Sequence, residues 1–129
     1  MRLLLDTHVL LWWLDDDHRL RPKSRAVIAA SETEAMFSIV SCWEASVKYR
    51  VGKLDANGTT LWQFASEQGL RPMGLEAEHL FALDKLPKSS DHNDPFDHLL
   101  LAQAKAEGAL LMTGDRKLTQ YGVPCLGVR

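Results

Sequence analysis

Leu3-Leu4-Leu5-Asp6-Thr7-His8, continued by Val9-Leu10-Leu11-Trp12-Trp13-Leu14, is the stretch that decides the fold. A short, uninterrupted apolar run suits a strand covered on both faces, as in the middle of a parallel sheet. An acid directly after such a strand stands at its carboxyl end, where open α/β sheets place their ligands. The second run predicts a helix over 7–14 that is more apolar than one covered face requires. Either that helix is deeply buried, or a side bearing Trp12 or Trp13 meets another chain.

Outward from this stretch, strand and helix signals alternate. Asp15-Asp16-Asp17 reads as a solvated turn, and Pro22 sits at the first turn of a helix running to about Ala30. Ala35 to Val40 reads as a second buried strand. Ser41-Cys42-Trp43-Glu44 has the form of a capping box, which predicts a helix starting there, with Trp43, Val47, Val51 and Leu54 at helical spacing and Gly52 near its end. Thr60 and Gln63 offer a second box, with Leu61, Phe64 and Ala65 on one face and Gly69 as the stop. Pro72 cannot donate to a sheet ladder, so a strand over 70–75 belongs at an edge. A short helix over 76–83 and a polar, irregular stretch over 87–93 follow. Asp94 as cap, Pro95 at the first helical position and Gly108 after the end mark the clearest helix. Ala109 to Met112 reads as a strand, 116–120 as a short helix, and 123–126, interrupted by Pro124, as a last edge strand. The alternation predicts an α/β fold, in three α/β/α layers around a central, mainly parallel, four- to five-stranded sheet, forming a single domain over 1–129.

The chain has 129 residues, a formal charge of -2 and a pI of about 6.2, without the strong basic excess of a general nucleic-acid binder. Acids gathered in one place can still conceal a basic rim. Cys42 and Cys125 lie far apart and predict buried thiols, not a disulfide framework. No run approaches the ~20 apolar residues of a membrane span, and the amino terminus lacks a leader pattern, so the expected location is cytoplasmic.

Crossover helices run antiparallel to parallel strands, which puts their amino termini at the sheet's carboxyl edge. Asp6 and Asp115 follow strands, while Glu44 and Asp97 fall in the expected first turns of helices, so all four acids converge on that edge. Each has an ordinary use. Asp6 and Asp115 can cap helices, Glu44 can complete its box and pair with Lys48, and Asp97 favours the helix dipole. Together they repel, by up to ~4 kcal/mol per close pair at an effective dielectric near 20. Protonation, splaying apart or a divalent cation can relieve this. Hard oxygen ligands suit Mg²⁺ or Mn²⁺, and a carboxylate-held cation beside a phosphate backbone supports phosphodiester hydrolysis by activated water.

Leu3-Leu4-Leu5-Asp6-Thr7-His8, Ser41-Cys42-Trp43-Glu44, Asp94-Pro95-Phe96-Asp97-His98-Leu99-Leu100 and Thr113-Gly114-Asp115 resemble the ordered blocks of PIN-domain ribonucleases. The likeness is greatest to VapC-type toxins of bacterial toxin–antitoxin pairs, with His8 where many members carry asparagine. That resemblance implies Mg²⁺- or Mn²⁺-dependent cleavage of RNA (tRNA, rRNA or mRNA), a homodimer, and silencing by a small cognate antitoxin of the VapB type. By motif position, Asp6, Glu44, Asp97 and Asp115 form the catalytic and metal-holding quartet. Thr7, Ser41 and Thr113 support it through hydroxyl groups, and Asp94 serves as helix cap beside Asp97.

Rival readings are a zinc site built from His92 and His98 with Asp94 or Asp97, a phosphotransfer or phosphatase enzyme, and a binding module whose acids only cap helices. Zinc sites usually show denser His/Cys spacing. Haloacid-dehalogenase phosphatases usually carry a second aspartate two residues after the first, and here that residue is His8. Arg19, Arg21, Lys48, Lys53, Arg116 and Lys117 are the basic side chains available to hold RNA. His18 and His79 read as surface residues, and His8 as a hydrogen-bonding neighbour of the acids.

Overall fold

Leu3, Leu4 and Leu5 are fully buried because β1 (Arg2–Leu5) is the middle strand of a five-stranded, all-parallel sheet. The structure is a computed structural model and describes residues 1–89 and 91–128. β2 (Glu34–Ser38) and β4 (Leu110–Thr113) flank β1, with Leu3 opposite Ala35 on one side and Leu110 on the other. β3 (Arg71–Met73) and β5 (Cys125–Gly127) form the edges, in the order β3-β2-β1-β4-β5. Pro72 thus lies in an edge strand, as its missing N–H requires. The chain winds outward from β1 to β3, then returns to β4 on the other side of β1. The switch point between β1 and β4 opens a crevice at the carboxyl edge.

Side chains alternate across a strand, so the leucine run feeds two layers at once. Leu3 and Leu5 pack with Val9, Leu10, Ile28, Phe37, Ala45 and Leu61, under α1 (Thr7–Leu14), α2 (Pro22–Ala29), α3 (Ile39–Arg50) and α4 (Gly58–Glu67). Leu4 packs on the opposite face with Met36, Leu100, Leu101, Ala104 and Leu111, under α5 (Ala77–Asp84) and α6 (Pro95–Glu107). The expected three-layer α/β/α arrangement is the observed one. No helix among the described residues is long and apolar enough to cross a membrane.

Helix starts decide where the acids fall. Asp6 caps α1 by accepting from the Val9 amide at 2.8 Å, and Asp94 caps α6 by accepting from Phe96 and Asp97, with Pro95 next and Gly108 left-handed after the end. The capping box at 41–44 is not used. β2 ends at Ser38, whose hydroxyl accepts from the Val40 amide, so α3 begins three residues earlier than expected. Glu44 therefore lies in the second turn of α3. Likewise α4 is capped by Asn57, which accepts from the Thr60 amide, and not by Thr60.

Two further expectations, for His79 and Cys125, are corrected. His79 is fully buried, since its Nδ1 accepts from the Glu76 amide at 3.0 Å and its Nε2 faces Glu107 at 2.9 Å. Cys125 is only half-buried, although Cys42 is buried. Trp12 and Trp13 are half-buried against the core, whereas Trp43, Val47 and Val51 of the α3 stripe face outward.

Candidate metal centre at the sheet's carboxyl edge

Asp6 leaves β1 with its carboxylate 3% exposed and enters the crevice already committed to the Val9 amide. Thr113, at the end of β4, hydrogen-bonds the same carboxylate, and its hydroxyl also accepts from the Asp115 amide at 3.0 Å. One hydroxyl thus bridges the two acids that follow β1 and β4. Burial pushes the Asp6 carboxyl above its usual range, against these hydrogen bonds.

Glu44 reaches the crevice from α3, where it is 2% exposed. Its Oε2 accepts from Lys48 Nζ at 2.7 Å, while its buried Oε1 has no hydrogen-bond partner among the described residues. One turn earlier, Ser41 Oγ lies 2.9 Å from Thr7 Oγ1, tying α3 to α1 beside Asp6. Asp97, in the first turn of α6, is pushed up to about 6, chiefly by burial and then by the charges of Asp94, Asp6 and Glu44. Asp115 is the more open acid; it caps the 3₁₀ helix Arg116–Tyr121 by accepting from the Lys117 amide at 2.9 Å.

All four acids named from the sequence stand at this edge, and Asp94 stays beside it as a cap. His92 joins them, 8% exposed, with Nε2 3.2 Å from Asp97 Oδ2 and 3.8 Å from Asp115 Oδ2. Ligand-type atoms of His92, Asp97 and Asp115 all lie within 4.8 Å of one another. This arrangement differs from the zinc site considered above: His98 turns to Tyr121 and the His92 carbonyl, and Asp94 is occupied by α6. His8 is exposed and lies against Trp12. Sequence had placed His92 near the acids only as a partner of His98 in the rival zinc site, and the structure turns it to Asp97 and Asp115 instead.

The donor set fits a divalent cation. Among the described residues the buried Glu44 Oε1 lacks the partner that such an atom ordinarily finds, and the Asp6 and Asp97 carboxyls are both pushed above their ordinary range. A hard cation supplies both the partner and the neutralising charge.

A parallel α/β protein with an acidic crevice at its topological switch point is the class these features define. The PIN domain family model matches residues 3–124, and the chain belongs to that family. It is 28% identical over 123 residues to Ribonuclease VapC22 of Mycobacterium tuberculosis (strain ATCC 25618 / H37Rv), covering 95% of this chain and 93% of that protein. Its fold is similar to VapBC2 from Rickettsia felis bound to a DNA fragment from their promoter, with TM-score 0.76, 18% identity and full coverage of both chains. A DNA-bound VapBC from Salmonella typhimurium aligns with TM-score 0.70 and 14% identity, covering 100% of this chain and 99% of that one.

Proposed function

We propose that this chain is a Mg²⁺- or Mn²⁺-dependent endoribonuclease of the VapC type, hydrolysing RNA phosphodiester bonds and silenced by a small antitoxin. The observation that carries the reading is the buried Glu44 Oε1, without a hydrogen-bond partner among the described residues and close to Asp6 and Asp97. Capping explains Asp6, Asp94 and Asp115, but it does not explain a buried glutamate in the second turn of a helix.

Asp6, Glu44, Asp97 and Asp115 would hold the cation. When bound there, it supplies charge neutralisation and Lewis-acid activation for attack of water on phosphorus. The protein's own contribution is positioning. The Val9 amide and Thr113 fix Asp6, Lys48 fixes Glu44, and the Thr7–Ser41 pair locks the helices that carry them. Arg116 and Lys117 follow Asp115 directly and are exposed, available to the flanking phosphates of an RNA strand. No side-chain nucleophile is needed, and the Ser41 hydroxyl is engaged with that of Thr7 at 2.9 Å.

The partners in this reading are an antitoxin of the VapB type and a second copy of the chain. Uncovered apolar side chains on α3–α4 (Trp43, Val47, Trp62) and on α5 (Leu80, Phe81) offer surfaces for them. The test is incubation of the purified protein with mixed RNA, in Mg²⁺ or Mn²⁺ against chelator. Cleavage is expected only with metal, and Asp6→Asn is expected to abolish it while the circular dichroism spectrum stays native. Undiminished cleavage in chelator or in Asp6→Asn refutes the reading.

A further inference from the structure

We infer that His92 is a positioning residue for this site, one that donates a hydrogen bond to the Asp97 carboxylate and does not itself ligate the cation. The inference rests on the metal-centre reading above. By composition, His92, Asp97 and Asp115 look like three ligands, and the hydrogen-bond directions argue otherwise.

The His92 carbonyl oxygen lies 3.1 Å from Tyr121 Oη and 3.1 Å from His98 Nε2. A carbonyl only accepts, so both atoms present hydrogen to it. Tyr121 Oη and His98 Nε2, 3.0 Å apart, also neighbour His92 Nδ1 at 3.4 Å and 3.2 Å, but each has one hydrogen, and the carbonyl takes it. Nε2 is the ring nitrogen that faces carboxylate oxygens, and an ionised carboxylate only accepts, so the ring hydrogen belongs on Nε2. That N–H points at Asp97 Oδ2 from 3.2 Å, with Asp115 Oδ2 at 3.8 Å. A nitrogen that carries hydrogen has no lone pair for a metal.

The placement suits the task. Asp97 is pressed by the charges of Asp94, Asp6 and Glu44, and a donor fixed between Asp97 and Asp115 opposes their separation. Tyr121 ends the 3₁₀ helix that Asp115 caps, so the His92–His98–Tyr121 cluster ties both ends of that helix to the stretch preceding α6. Second-layer donors of this kind are worth about 10–100-fold in metal affinity.

The experiment uses the full chain with Mn²⁺ as the probe. Affinity is measured by the electron paramagnetic resonance signal of free Mn²⁺ for the wild type, His92→Ala and His92→Gln. Electron spin-echo modulation of the Mn²⁺-loaded wild type reads any directly bound imidazole nitrogen. Expected are an affinity loss of about 10–100-fold in His92→Ala, recovery to within a few-fold in His92→Gln, which keeps an N–H donor, and no nitrogen modulation. Nitrogen modulation that disappears in His92→Gln makes His92 a ligand and overturns the inference. Wild-type affinity in His92→Ala overturns it as well. If the alanine variant does not fold, the modulation experiment and His92→Gln still decide. Absence of carboxylate-dependent Mn²⁺ binding in the wild type refutes the metal centre itself, a separate result from failure of the His92 role alone.

Discussion

Lys48 Nζ stands 2.7 Å from Glu44 Oε2, and the other oxygen of this buried carboxylate has no hydrogen-bond partner among the described residues. Glu44 is thus half satisfied by its own helix and half reserved. Glu44→Gln is expected to lower Mn²⁺ affinity at least tenfold in calorimetric titration while retaining the fold. Lys48→Met removes the one compensating charge, and its cost in chelator is expected to be about 1–3 kcal/mol, since Lys48 is partly exposed and its loss leaves a buried group unpaired. Mn²⁺ should shrink that deficit in denaturant titrations. An equal deficit with and without Mn²⁺ argues against a cation at Glu44.

The raised Asp97 carboxyl gives the site a defined pH dependence. With its value near 6 in the folded protein and an ordinary value of 3.8 when unfolded, the folded state holds a proton that the unfolded state has released between those limits. Stability from this group is therefore highest at low pH, falls as pH rises toward 6, and stays lowered above it. The Asp6 shift has the same sign. A cation must displace the proton, so metal affinity is expected to climb between pH 5 and 7 and then level off, with proton release in calorimetry below pH 6. A flat affinity over that range contradicts it.

The same repulsion predicts a stabilised variant. Asp97→Asn keeps the shape and an oxygen facing His92 but removes a charge that its neighbours oppose. Thermal unfolding at pH 7 in chelator is expected to shift upward, by roughly 1–2 kcal/mol after allowance for solvent screening. Mn²⁺ binding is expected to weaken in the same variant. Stability given up at a site and recovered by its ligand is the pattern of a functional centre.

Much of this was legible from local chemistry. Asp6 ends an apolar run, and Asp94-Pro95 opens α6 through bonds made within three residues, so sequence alone placed both. The start of α3 was not legible, because Ser38 and Ser41 are both competent caps. The choice depends on where β2 stops pairing, at Ser38 opposite Met73 of β3. The burial of His79 and the true partners of His92 were not legible for the same kind of reason. Glu107 is 28 residues from His79, and Tyr121 is 29 residues from His92. The outward Trp43-Val47-Val51 stripe shows the limit of periodicity, which gives a face but not whether this chain covers it.

Gly58 tests the fit of α4 against α3. A β-carbon there would overlap the Cys42 carbonyl and Ser46 Oγ, and the Gly58 amide donates to that Oγ at 2.8 Å. The Cys42 oxygen cannot move without disturbing α3 two residues before Glu44. Gly58→Ala is expected to lose about 1–3 kcal/mol in chemical denaturation, the usual range for overpacking. A variant within 0.5 kcal/mol of wild type, the roughly neutral range of surface changes, would show that α4 shifts freely.

The four tryptophans separate two ideas about the partner surface. Sequence pointed to Trp12 or Trp13, yet both pack against the core, whereas Trp43 and Trp62 are 56% and 42% exposed. Ile39, Trp43, Ser46, Thr59 and Trp62 line a cavity of about 430 Å³ between α3 and α4, with Trp43 set edge-on to Phe96 at the start of α6. A partner seated there covers two indoles and touches the helix that carries Asp97. Binding of a VapB-type antitoxin is therefore expected to shift the tryptophan emission to the blue. The shift should persist in a Trp12→Phe/Trp13→Phe variant and vanish in Trp43→Phe/Trp62→Phe. Trp62→Glu should weaken binding at least tenfold and leave Mn²⁺ affinity unchanged, because Trp62 lies on α4, outside the acid cluster. Loss of the shift only in the Trp12/Trp13 variant would return the partner to α1.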